Sequence, residues 1–134
     1  MKKDITPPTV EDVAVAIVKE QNDLGETEWN AYLVNLKKEK IEGVLVTSKG
    51  YGMLNNEEVK TSTLRHFLGD VDAKNFTKIE PILEPLFGLN NEFWVSFFLH
   101  KVMYDKKYIF LPESITEENF ILIPSINKKG VMIK

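Results

Sequence analysis

The chain has no cysteine among its 134 residues, and only one of its 17 basic residues, Arg65, is an arginine. Without thiols there is no disulfide framework, no thiol nucleophile and no thiolate metal site. With one arginine the chain is poorly equipped for bidentate recognition of phosphates or base edges. The other bases are lysines, paired at 37–38, 106–107 and 128–129 and interspersed with acids, for a net charge of −3. Dedicated nucleic-acid binding is therefore not expected. Long apolar runs are missing too. The longest, Val13 to Val18, is six residues, against the roughly 20 that a membrane helix needs. No apolar segment stands behind Met1-Lys2-Lys3, so no signal peptide is expected. The expectation is a cytoplasmic protein that does not associate with membranes.

What is present is ordinary for a globular chain, with 43% hydrophobic and 28% charged residues. The length suits one domain with a core of its own. Residues 1–9, which contain Pro7-Pro8, read as an extended N-terminal arm, and 10–134 as a single globular domain.

Trp29 to Gly52 is the longest stretch rich in β-branched and aromatic residues, and it reads as strand, polar turn over 37–40, strand. Val10, Val13, Ala14, Ile17 and Val18 fit a helical stripe with Thr9 as cap, yet 13–18 is β-branched at four of six positions. A strand is the preferred reading. Asn22-Asp23-Leu24-Gly25 and Asn55-Asn56 are turns. Leu64, Phe67, Leu68 and Val71 fall at helical spacing behind three capping hydroxyls, which predicts a short helix or one-turn crossover. Phe76 to Ile82 alternates but carries Pro81, so it belongs at a sheet edge. Phe93 to Leu99 is apolar at every position except Ser96, which predicts a central strand covered on both faces. His100 to Met103 turns the chain back, and Tyr104 to Leu111 is the returning strand. Glu113 to Asn119 allows one helical turn, Ile121 to Pro124 a short strand, and Val131-Met132-Ile133 a segment that pairs onto a sheet edge, preferably of its own chain.

Short strands separated by turn signals predict a mainly β, antiparallel two-sheet sandwich, immunoglobulin-like, with one or two short helical turns. The alternative is an α+β arrangement, an antiparallel sheet with one or two helices on one face.

The phrases Val-Leu-Val-Thr-Ser-Lys-Gly-Tyr-Gly (44–52), Lys-Thr-Ser-Thr-Leu-Arg-His (60–66) and Tyr-Asp-Lys-Lys-Tyr-Ile-Phe-Leu-Pro (104–112) resemble a family of short, uncharacterised bacterial proteins, with a likeness that covers most of the chain. The resemblance implies no activity and carries no functional residue. Some members bear a label as phenylalanyl-tRNA synthetase alpha subunit. The residues argue against that label, because such catalytic domains are far larger and bind ATP through arginines, of which this chain has one.

Among motifs that carry chemistry, Gly50-Tyr51-Gly52 lacks the third glycine of a dinucleotide-binding loop, since Asn55 stands in its place, and no Walker A sequence exists. No cofactor is expected. His66 and His100 are 34 residues apart without ligand spacing, so no metal site is expected either. Thr61-Ser62-Thr63 lacks the flanking glycines of a nucleophile elbow. Glu80, Glu84 and Glu92 read as solvated charges. Two functional readings follow. The first is a non-enzymatic protein-interaction domain that binds a protein partner or a second copy of itself through aromatic-rich strands, with Trp29, Tyr32, Trp94, Phe98 and Tyr108 as contact residues. The alternative is a small enzyme or small-molecule-binding protein that uses Arg65 and His66 with a nearby carboxylate, Asp70 or Asp72.

Overall fold

A computed structural model describes residues 8–134. The arm expected over 1–9 lies for the most part outside these residues. The described chain is mainly strand: β1 (Val13–Gln21), β2 (Thr27–Asn35), β3 (Ile41–Leu54), β4 (Glu57–Lys60), β5 (Leu64–Val71), β6 (Phe76–Ile82), β7 (Asn90–Leu99), β8 (Val102–Phe110), β9 (Ile121–Ile123) and β10 (Lys128–Ile133). Two single 3-10 turns, Glu84–Gly88 and Glu117–Asn119, are its helical content, and no helix among the described residues is long and apolar enough to cross a membrane. The strands form two antiparallel sheets, β6-β2-β1-β10-β9 and β4-β3-β7-β8, with β5 on the same edge of β3 as β4. This is the expected two-sheet antiparallel sandwich. The core between the sheets takes Val13, Val15, Ile17 and Leu33 from the first and Val44, Val46, Phe93, Val95 and Phe97 from the second.

β1 is buried from Val13 to Val18 on both faces, because the first sheet has a second core. Ala14, Ala16 and Val18 pack with Tyr32, Val34, Ile123 and Ile126. In a flat five-stranded sheet the edges β6 and β9 would stand about 19 Å apart. Here the turn after β9 reaches the loop before β6, where the Ser125 hydroxyl donates to the Lys74 carbonyl at 2.9 Å. The sheet curls around its own outer face, and the alanines leave room for the closure. A strand buried on both faces reads as a continuous apolar run, which is why 13–18 lacks alternation.

Turn chemistry sets the hairpins. Asn22 Oδ1 accepts from the amides of Leu24 and Glu26 between β1 and β2. Asn55-Asn56 and His100-Lys101 take consecutive positive φ values at the two-residue turns β3–β4 and β7–β8, the geometry that matches strand twist. The tail pairs with its own chain, Val131 opposite Ile17, and β6 with Pro81 is an edge strand.

Three expectations are corrected. The stretch 29–52 is not a hairpin, because β2 pairs with β1 and β6 while β3 belongs to the other sheet. The polar segment 37–40 crosses the roughly 10 Å between sheets. The fully buried Asn35 pins this crossing by donating to the carbonyls of Glu39, Val71 and Asp72 and accepting from the Lys37 amide. Residues 59–71 hold no helix. They form β4 and β5, separated at Thr61, whose hydroxyl accepts the Gly50 N–H at 2.7 Å. β7 is central, between β3 and β8, but it is covered on one face only: Trp94 and Phe98 face outward and are exposed.

Candidate functional site

The outer face of the second sheet is built row by row from cross-strand pairs, which share a face. One row runs Arg65, Thr47, Trp94, Lys107 across β5, β3, β7 and β8; the next runs Phe67, Leu45, Ser96, Asp105. Beyond it Phe98 lies opposite Met103 on one side and Glu42 on the other. Phe67 is 73% exposed, Met103 53%, Trp94 47%, Phe98 45% and Leu45 37%. Five large apolar side chains thus share one open face. The small Ser96 leaves a dip in it of about 190 Å³, walled by Leu45, Thr47, Trp94, Met103 and Asp105. The Lys107 ammonium lies 5.1 Å from the Trp94 ring centre, in cation–π range.

Of the expected contact residues, Trp94 and Phe98 lie here, and the other three are core. Tyr108 is fully buried, with its hydroxyl donating to the Val13 carbonyl at 2.6 Å, and burial pushes that hydroxyl's pKa up. Trp29 is buried with its ring edge-on to Phe87 and Phe120, its indole N–H donating to Glu84 at 2.9 Å. Tyr32 packs edge-on to Phe76 in the second core and donates to Glu20 at 2.6 Å. Burial and that carboxylate hold its pKa above the usual phenol value. An aromatic residue on a strand goes in or out by parity and by whether its sheet is covered, and composition reports neither. Phe67, Leu45 and Met103 were not anticipated as surface residues. Phe67 joins the face of Trp94 and Phe98 only once β5 is a strand, whereas Leu45 and Met103 lie on β3 and β8, the direct neighbours of β7.

A second cluster joins the two sheets at their β5 and β6 edges. His66 Nε2 lies 2.8 Å from Glu80 Oε1, and the same oxygen accepts the hydroxyl of the buried Ser48. The carboxylate beside His66 is therefore Glu80, not Asp70 or Asp72. Asp70 instead accepts the Gly43 amide at 3.1 Å and faces Lys40 at 3.8 Å. Arg65, next to His66 on a strand, points to the opposite, outer face. The expected set of Arg65, His66 and Asp70 is not assembled. Nor are the glutamates free surface charges, since Glu80 holds Ser48 and His66, Glu84 holds Trp29, and the buried Glu92 accepts the Tyr51 hydroxyl. Glu80 and Ser48 line a cavity of about 150 Å³ together with Lys49, Thr61, Ser62 and Phe93. Residue types resemble an acyl-transfer triad, but the order is wrong. The carboxylate stands between serine and histidine, so the imidazole nitrogen that would take the serine proton is bonded to Glu80 instead.

His100 is an exposed turn residue whose Nε2 meets Glu39. Among the described residues no group of three or more histidines and carboxylates is placed to hold a metal ion. The lysine pairs 106–107 and 128–129 lie on opposite sheets. No family model, curated protein or solved structure matches the chain.

Proposed function

We propose that this protein is a non-enzymatic domain that works by binding protein through the outer face of its second sheet. The observation that carries the reading is the difference between the two sheets. The first buries its central strands β1 and β2 on both faces, with exposed large apolar residues only at its edge strand β9, whereas the second leaves Phe67, Leu45, Trp94, Phe98 and Met103 together in solvent. Full burial of such a side chain is worth about 1.5–3 kcal/mol, and a partner covering these recovers the share that their remaining exposure forfeits. A cytoplasmic location and kinship with short bacterial proteins are parts of the same proposal.

The test is affinity capture of the tagged protein from its native lysate, with wild type beside a Trp94→Ser/Phe98→Ser variant. Mass spectrometry and nucleic-acid staining read the eluates. A near-stoichiometric protein, a second copy included, that is present with wild type and lost with the variant is the expected result. Eluates that are identical, or nucleic acid as the main companion, overturn the proposal.

The cavity at Glu80 favours one second reading, a small-molecule binder. Its fixed carboxylate, with Ser48 and Ser62 beside it, suits a small amine or polyhydroxylated ligand. A metabolite screen by thermal shift, in which hits vanish on Glu80→Gln, is its check; hits that survive the substitution overturn it.

A further inference from the structure

The face just described is complementary to itself, and we infer that its partner is a second copy of this chain. The inference rests on the protein-binding reading and narrows it. Two sheets that meet face to face are related by a twofold axis lying in the plane between them. Let that axis run across the strands, between the Trp94 row and the Ser96 row. Each residue of one row then faces the residue of the other row on the same strand of the second copy. Three of the four facing pairs attract or fit, and none sets like charges together. Trp94, the tallest side chain on the face, meets the dip at Ser96 of the second copy, whose volume of about 190 Å³ accepts an indole ring. Lys107 meets Asp105, and Arg65 meets the exposed ring of Phe67, an ion pair and a cation–π contact. Thr47 meets Leu45. Symmetry makes each contact twice.

The other simple axis, running along the strands between β3 and β7, fails on charge. It sets Arg65 against Lys107 and Phe67 against Asp105, twice each. The face therefore selects one arrangement of its own copy, with strands antiparallel across the interface and β8 facing β8. Aligned sheets cross at about 30°, and the four-strand width of each row is small enough for the end pairs to stay in reach at that angle.

The experiment is sedimentation velocity of the full chain across a concentration series, with Lys107→Glu, Asp105→Lys, the double variant, and an equimolar mixture of the two single variants. These positions are exposed, so circular dichroism spectra matching wild type are expected throughout. Wild type sediments as a dimer. Each single variant sets like charges against each other twice and raises the dimer dissociation constant by about tenfold or more. In the mixture the introduced glutamate of one copy faces the introduced lysine of the other, and the native Asp105 faces the native Lys107. The mixture therefore returns to dimer, as does the double variant. A monomeric wild type overturns the inference, as do single variants that dimerise like wild type or a mixture that stays monomeric. A monomeric wild type leaves the broader reading standing if capture still retains a different protein through Trp94 and Phe98, and that protein is then the occupant of the face.

Discussion

A methyl group at Gly130 would overlap the carbonyl oxygen of Ile17 and crowd the Cα of Val18. Gly130 sits in β10 opposite Val18 of β1 and Ile121 of β9, so the overlap is with backbone that cannot step aside. Gly130→Ala is expected to lower stability by about 3 kcal/mol, at the upper end of overpacking costs, read as a fall in urea midpoint at unchanged m-value. A loss below about 0.5 kcal/mol would mean β10 does not pair as described. Glu20 supplies a pH-dependent counterpart. Burial acts to raise its pKa, but donors on Tyr32 at 2.6 Å, Asn30 at 2.8 Å and Lys128 at 3.2 Å outweigh it, and the carboxyl ends below its ordinary 4.5. Between the two values the unfolded chain holds the extra proton. The stabilisation is therefore present above about pH 4.5 and is lost as pH falls through the folded value. Glu20→Gln should cost about 1–2 kcal/mol at pH 7 and flatten the decline in stability below pH 4.5, measured by urea titrations at stepped pH. A variant curve parallel to wild type would contradict this.

Among the elements, the β7–β8 hairpin was legible in the sequence, and its turn can still be improved. His100 and Lys101 hold φ near 50° and 63°, a region costly for any residue with a Cβ. Lys101→Gly is expected to raise stability by about 0.5–1 kcal/mol, seen as a higher thermal midpoint; a lower midpoint would show that the strain is not there. Other elements were not legible, and each for a definite reason. In β5 the left-handed Gly69 and the register shifts opposite it on β3 break the two-residue alternation. Leu64, Phe67, Leu68 and Val71 then fall by accident at helical spacing. In the β2–β3 connection the deciding residue is Asn35, whose buried carboxamide holds a crossing that looks locally like a hairpin turn. Glu80 looked like a solvated charge because its partners, Ser48 and His66, come from two distant strands. Apart from β5 the strands are written locally, whereas sheet membership and side-chain parity depend on contacts far along the chain.

At the scale of the molecule the two sheets differ in kind. The first is curled around a second core, with β1 and β2 at its centre and almost every residue between Val13 and Val18 and between Trp29 and Asn35 fully buried. The second is an open layer whose edge is split between the short β4 and β5, with Thr61 bridging the break. Opening β4 exposes little apolar surface, since Glu57, Glu58 and Lys60 are already in solvent. Opening β1 dismantles both cores at once. Amide hydrogen exchange should therefore divide the chain: β1 and β2 amides exchange only through global unfolding, while β4 amides exchange through local opening of far lower free energy. The same contrast bears on the proposed function, in which a firmly buried first sheet carries a second whose outer face makes the contact. If that face is covered in solution, protection of the β7 and β8 amides should rise with protein concentration while β1 stays unchanged. Exchange of β4 as slow as that of β1 would show the molecule to be one cooperative unit and remove the distinction between scaffold sheet and contact sheet.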